Sequence, residues 1–537
     1  MKEHPQPFTS RREVLRLGAA AGFGSLAAAC GASGLRAEPP ASPSTSSRTA
    51  LEYPKLPRWR GFNLLEKFTL NDNAPYQEWD FDFLAQHGFD FVRLPTDYRI
   101  WTRSPGAYRE EPLKEIDQAI AWGRARKIHV NLCLHRAPGY CVNRHPPEAL
   151  DLWGDGSGGD EARRQFADQW GMFASRYRGI PAADLSFNLV NEPSTVTGAR
   201  YALAAGLAIE AIRRADPARL IIADGTNYGR IPVPELLPLG IAQSTRGYAP
   251  FQLTHYRANW VEGSDRWQVP TWPVPAPVNR YLYGTQKPEF KSALILHGDF
   301  AAGTELALSI DQVSQRAKLL VRADGTAVFE RSFEPGRGQG EWKESVFKPE
   351  WQIYQATYDR TYTAKLPARA REIRLELTDG DWLTWSALSL APPQGVPVKI
   401  LPNDTEWGVR QGEVEIDGQG ALIPRSGQTG MDRDKLYAQQ VEPWAAFAAE
   451  RKVGVHVGEW GAFRKTPHEV VLAWMADCLA NWRRAGFGWA LWNLRGAFGC
   501  FDSEREDVTY ESYQGHKVDR RMLELLREDL ALPTAFL

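Results

Sequence analysis

Two short stretches of this chain end an apolar run on a glutamate: Leu185–Pro193 (LSFNLVNEP) and Val455–Gly461 (VHVGEWG). Each run has the length of a strand, and Glu192 and Glu459 each stand beside a small or turn-forming residue. Two carboxylates held at the ends of two buried strands can cleave a glycosidic bond. A protonated one delivers a proton to the leaving oxygen, while an ionised one attacks the anomeric carbon from the opposite face.

Such a pair needs a scaffold that brings several strand ends together. From Arg60 onward, short apolar runs alternate with amphipathic stretches. The runs are Gly61–Leu65, Phe89–Pro95, His129–His135, Leu185–Glu192, Leu220–Asp224, Phe251–Tyr256, Val453–Glu459 and Phe487–Asn493. Helix-like segments such as Leu113–Arg126, Arg163–Tyr177, Ala199–Ala215 and Glu469–Ala485 lie between them. Continuous apolar strands alternating with amphipathic helices predict a parallel sheet covered on both faces. Eight such units are the number that closes a (β/α)8 TIM barrel, with its strand-terminal polar residues gathered at one mouth.

One interval breaks the rhythm. The stretch between the expected sixth and seventh strands is far too long for a barrel loop. From about Lys291 to Ala391 it alternates with period two, and Asp324-Gly325 is a good hairpin turn between two runs. The expected fold class is therefore α/β, a (β/α)8 barrel with an antiparallel β-sandwich inserted between strands 6 and 7. The expected organisation is barrel at 59–262 and 426–537, and an inserted region at 263–425. The sandwich resembles a carbohydrate-binding module only in a general way. Its Trp342, Trp351, Trp382 and Trp385 suit either a sugar platform or a core. Emerging after a strand end, it is expected near the catalytic mouth.

Asn191-Glu192-Pro193 and Gly458-Glu459-Trp460-Gly461 resemble the two catalytic motifs of glycoside hydrolase family 5. The resemblance runs from about Arg60 to Leu530, minus the insert. It implies Glu192 as acid/base, Glu459 as nucleophile, and a separation of about 5–5.5 Å between them for retention of configuration. Arg93, in Phe-Val-Arg-Leu-Pro, matches the family's second-strand arginine and should hold Glu459 ionised. His135 matches the histidine lining the subsite of the cleaved sugar, and Asn191 suits a contact with the 2-hydroxyl. His255 and Tyr256 fall where the family carries a histidine and a tyrosine near the nucleophile, although here they are adjacent. Trp492, in Gly-Trp-Ala-Leu-Trp-Asn, matches the tryptophan that floors the same subsite, with Trp489 pointing elsewhere by strand parity.

The function expected from this resemblance is a retaining β-glycosidase that hydrolyses a β-glucan, cellulase-like. An exo-acting β-glucosidase or a β-mannanase of the same family is the alternative. A non-catalytic surface glycan-binding lipoprotein is an alternative of another class. The partner is a β-linked oligo- or polysaccharide, the expected state a monomer, and no cofactor or metal is implied.

Whole-chain properties agree with a saccharide partner. The formal net charge of −1 argues against nucleic acid or an anionic membrane surface. The 20 Trp and 18 Tyr exceed what a core of this size needs, and amphipathic rings stack on the faces of sugars. Ser10-Arg11-Arg12-Glu13-Val14-Leu15, followed by an apolar region up to Ala29, resembles a twin-arginine export signal (1–30). It ends in Leu26-Ala-Ala-Ala-Cys30, either a lipobox acylated on Cys30 or a site for ordinary signal cleavage. A flexible linker, 31–58, follows. Export would leave the protein periplasmic, anchored at the cell surface by lipid, or secreted. Cys133, Cys141, Cys478 and Cys500 show no metal-binding spacing, and no disulfide among them is assigned.

Overall fold

The computed structural model describes residues 55–532, except 144–145, 268, 276–277, 403–406, 417–421 and 425–428. The export signal, Cys30 and most of the linker lie outside the described residues. The chain divides into two compact units, Thr271–Asp434 and the chain on either side of it.

The flanking unit is a closed parallel barrel. Its strands are β1 (Arg60–Asn63), β2 (Phe91–Asp97), β3 (His129–Ala137), β4 (Leu185–Asn188), β5 (Leu220–Asp224), β6 (Ala242–Gly247), β7 (Val455–Trp460) and β8 (Gly488–Leu491). Each pairs in parallel with the next, and β8 returns to β1 with Gly61 opposite Ala490. Val92, Leu94, Val130, Leu132, Phe187 and Val457 are buried apolar residues on one face of these strands, while the register places Arg93 and Asn131 on the other. The covering helices carry one apolar stripe each. Gly198–Ala215 buries Tyr201, Ala204, Ala205, Ala208, Ile209 and Ile212, the spacing of a single helix face. Thr197 caps that helix by accepting the Arg200 N–H.

The sixth strand is not where the apolar runs place it. Phe251–Thr254 forms one helical turn, and β6 is the earlier Ala-Gln-Ser-Thr-Arg-Gly segment. Its Gln243, Ser244, Thr245 and Arg246 are all buried, so the strand packs inside without an apolar signature.

The unit Thr271–Asp434 is a two-sheet sandwich. One six-stranded sheet contains Glu305–Ser314, Ile353–Lys365 and Trp382–Ala391; the other contains Leu294–Phe300, Ala317–Ala323, Thr326–Phe333 and Ala370–Gly380. Both sheets contribute to one apolar core, including Leu308, Ile310 and Trp385 from the first and Leu319, Val321 and Leu375 from the second. Asp324-Gly325 forms the expected hairpin turn, with Ala323 opposite Thr326 and both turn residues at positive φ. The edges fall at 271 and 434 rather than 263 and 425, because Val274–Pro275 pairs with Thr429–Met431 and ties the unit's two chain ends together. Of the four tryptophans singled out above, Trp385 is core, Trp342 packs against that core, Trp382 is half-buried and Trp351 is exposed.

Candidate active site

The centre of the barrel mouth is Arg93, which β2 carries into the interior with 1% of its surface exposed. Its guanidinium is saturated by four strands. Nη1 donates to Glu459 Oε1 at 2.6 Å and to Asn63 Oδ1 at 3.0 Å. Nε donates to Asn188 Oδ1 at 3.0 Å, and Nη2 to Asn191 Oδ1 at 2.7 Å and Cys133 Sγ at 3.0 Å. Burial works against the charge, but the carboxylates Glu459 and Asp224 favour it, and Arg93 stays protonated. Burial pushes the Cys133 thiol up to about 12, which leaves it a neutral neighbour. Asn63 in turn donates from Nδ2 to the carbonyls of Gly458 and Leu491, at 3.1 and 3.0 Å, pinning β7 and β8 beside the arginine.

Glu459, on β7, is 3% exposed. Its Oε2 accepts the Tyr248 hydroxyl at 3.3 Å. Burial, then Glu459 and Glu192, hold that phenol well above its ordinary range, so it remains a donor. The carboxylate therefore receives hydrogen bonds on both oxygens, which fixes its orientation.

Glu192 lies just past β4, in a left-handed backbone conformation with φ of 47°. Non-glycine residues adopt it only where the surroundings over-determine it. Here the Glu192 N–H donates to Asp224 Oδ2 at 2.9 Å, and its carbonyl accepts the Tyr140 hydroxyl at 2.7 Å. Its side-chain Oε1 accepts Arg246 Nε at 3.0 Å. Arg246 also donates from Nη2 to Asn191 Oδ1 at 2.9 Å, makes a short contact with Asp224, and comes within 3.3 Å of Glu459 Oε1. One guanidinium thus touches both glutamates. Asn191 accepts from both arginines on its oxygen, while its buried Nδ2 has no hydrogen-bond partner among the described residues. That N–H pair is available to a ligand hydroxyl.

Aromatic rings line the same mouth. His135 is buried and packs edge-on against Phe68, at 4.4 Å between centroids, with Trp492 at 6.0 Å. Burial, reinforced by Arg93, Arg246 and Arg136, holds His135 well below its ordinary value, so it is neutral. Trp492 is half-buried and packs against the Phe463–Phe498 cluster that also holds Tyr248. Trp489 is fully buried and donates from Nε1 to Asp529 at 3.1 Å, away from the mouth.

The structure brings Glu192, Glu459, Arg93, Asn191, His135 and Trp492 together. His255 ends the helical turn, stacked on Phe251 at 4.0 Å and edge-on to Tyr248 at 5.4 Å, one ring removed from Glu459. Tyr256 does not join them. It is buried with the Arg257 guanidinium over its ring at 5.8 Å, and Tyr248 stands where a tyrosine was expected. The cause is the displaced sixth strand: Arg246-Gly247-Tyr248 leaves its end with one residue between the two polar side chains. Sequence reasoning also missed Asn63, Asn188, Asp224 and Phe68. Asp224 closes a correctly read strand and could have been found on that ground.

The fold and the site define a (β/α)8 barrel with two glutamates held by arginines at its mouth. Residues 52–250 match the family model described as Cellulase (glycosyl hydrolase family 5). Over that span the chain is similar to glycosyl hydrolase family 5 domains. It is 30% identical over 195 residues to "Endoglucanase C" of Acetivibrio thermocellus, a match covering 35% of this chain and 54% of that protein. It is 24% identical over 189 residues to "Cellodextrinase A" of Ruminococcus flavefaciens, covering 34% of this chain and 54% of that protein. The chain thus spans about half the length of the curated relatives it matches. A solved structure described as "a glycoside hydrolase" is 27% identical with a TM-score of 0.55, covering 88% of this chain and 99% of that one.

Proposed function

We propose that the protein is a retaining β-glycosidase acting on a β-glucan, with Glu459 as nucleophile and Glu192 as acid/base. The observation that carries this reading is the asymmetric support of the two carboxylates. Glu459 is held on both oxygens by Arg93 and Tyr248, as a nucleophile must be. Glu192, just past β4, is anchored through its backbone and accepts Arg246 Nε on one carboxyl oxygen.

In the first step Glu459 attacks the anomeric carbon, and Glu192 gives its proton to the departing glycosidic oxygen. The glycosyl unit is then an ester on Glu459, and Glu192, now ionised, takes a proton from water as that water attacks the same carbon. Arg93 holds the nucleophile in place before the attack and offers the departing carboxylate a hydrogen bond when the ester breaks. Asn191 Nδ2 is suited to the sugar 2-hydroxyl, and Trp492 with His135 and Phe68 offers rings for a sugar face. The relatives named as endoglucanase and cellodextrinase support β-glucan as the substrate class.

Product analysis on defined β-glucan and β-mannan oligosaccharides tests this reading. Cleavage of the glucans with internal products supports an endoglucanase. Release of single sugars from one end would make it an exo-enzyme, and preference for mannans would replace the substrate. No cleavage by folded protein would leave a glycan-binding barrel.

The same reading extends to the rest of the chain. Arg11-Arg12 before an apolar segment supports export by the twin-arginine route, and Cys30 a lipid anchor on the exported protein. The sandwich is read as carbohydrate-binding, on the strength of exposed Trp351 and Trp407.

A further inference from the structure

Among the described contacts, Arg246 is the cation that reaches both glutamates. We propose that it is a positioning residue that governs the proton on Glu192: its guanidinium bridges the two carboxylates and draws Glu192 toward the ionised form that deglycosylation requires. This rests on the assignment of Glu192 as acid/base and Glu459 as nucleophile.

The side chain sits in a built cradle. A methyl group on Gly458 would come within 2.5 Å of Ser244 Oγ and 2.9 Å of Arg246 Nη1; one on Gly229 would lie 2.7 Å from Arg246 Cγ. Both positions are glycine, and the guanidinium fills the space they leave. Burial disfavours its charge, but Asp224, Glu459 and Glu192 outweigh that and keep it firmly protonated.

Among the described contacts, the groups facing Glu192 are of unequal weight. Asp224 on β5 meets its backbone N–H and is itself paired with Arg246. Glu459 on β7 is neutralised by Arg93 from β2. Tyr140, beyond β3, bonds the carbonyl of Glu192 rather than its carboxyl, and Tyr248 bonds Glu459. Arg246, at 3.0 Å, is a near opposite charge acting directly on the Glu192 carboxyl. An opposite charge at that range favours ionisation. The consequence runs in opposite directions for the two steps: Arg246 works against Glu192 as an acid and assists it as a base.

The test is the pH dependence of kcat/KM on an aryl β-cellobioside, for the wild type, Arg246→Gln and Glu192→Ala. The alkaline limb reports loss of the proton from the acid. It should move upward by about one pH unit or more in Arg246→Gln. Turnover of a substrate with a good leaving group, limited by deglycosylation, should fall in the same variant. A residue that only fills space would lower activity at every pH without moving the limb; an unmoved or lowered limb in folded Arg246→Gln overturns the proposal. Should that variant not accumulate folded, Arg246→His and Arg246→Lys carry the comparison. Above pH 7 histidine is uncharged, so the limb must lie higher in the His variant than in the Lys variant, and equal limbs overturn the idea. Glu192→Ala separates the two levels. If its alkaline limb persists, Glu192 is not the acid and the underlying assignment fails. If the limb vanishes there yet stays fixed in Arg246→Gln, only the role of Arg246 fails.

Discussion

Arg93 and Glu459 meet at 2.6 Å in the barrel interior, and the same guanidinium donates to Asn63, Asn188 and Asn191. The pair is the hub through which β1, β2, β4 and β7 fix the nucleophile. A buried ion pair of this kind is strongly destabilised by removing one partner, because the other is left charged and unpaired.

Arg93→Lys keeps the charge but cannot serve all five acceptors, since a single ammonium lacks the planar fork. Its kcat/KM should fall by about 100-fold or more, equivalent to about 2.7 kcal/mol of transition-state stabilisation. Arg93→Ala should also lose about 3–5 kcal/mol of folding stability. Steady-state kinetics and urea titration check the two effects separately.

Trp492→Ala should lower kcat/KM on oligosaccharides by about 10-fold to 100-fold, the range expected from losing one stacking ring of about 1.5–3 kcal/mol. Trp489→Ala should act on stability instead, since that ring is fully buried and its N–H bonds Asp529. Binding of a cellooligosaccharide to each variant, measured by calorimetry, distinguishes them.

The residues whose place on a strand is legible from sequence are those whose neighbours are apolar. Glu192 and Glu459 each close a hydrophobic run, so pattern puts them at strand ends, and Arg93, flanked by Val92 and Leu94 within β2, is found through the family resemblance. β6 defeats that logic. Four of its six residues are polar and buried, satisfied by hydrogen bonds inside the barrel, whereas the apolar Phe251–Tyr256 segment is a helical turn against the mouth. Misplacing that strand hid Arg246 and Tyr248 and put Tyr256 in a role it does not hold. Only the folded chain shows which polar side chains have partners.

His129 and His456 lie near the N-terminal ends of β3 and β7, and burial pushes each down to about 3. The native protein refuses protons that the unfolded chain accepts below about pH 6.5. Stability should therefore fall as pH drops from about 6.5 toward 3, each histidine contributing about 1.4 kcal/mol per pH unit. Urea titrations at pH 7, 6 and 5 should show the decline, and replacing either histidine by glutamine should reduce its slope. A flat profile in the wild type would contradict the neutral, buried state.

Excision should follow the unit's own edges. Removing Thr271–Asp434 and joining Pro270 to Lys435 by a short flexible loop leaves all eight barrel strands intact. If the sandwich binds glycan, hydrolysis of long glucans should worsen more than that of an activated monosaccharide glycoside. Equal losses with a folded barrel would remove the binding role.

For export, Arg11→Lys with Arg12→Lys should retain the precursor in the cytoplasm. Cys30→Ser should release the mature protein from membranes. Wild-type protein that is already soluble and unacylated would point to ordinary cleavage.

The central claim is a covalent glycosyl ester on Glu459, and it can be read directly. The folded protein is treated with an activated 2-deoxy-2-fluoro β-cellobioside, which slows both steps and lets the ester accumulate. It is then digested and the labelled peptide sequenced by mass spectrometry. The label should fall on Glu459, within Val455–Gly461, and should be absent from Glu459→Gln. A label on Glu192 would reverse the roles of the two glutamates. No adduct, with products of inverted configuration, would contradict the double displacement altogether.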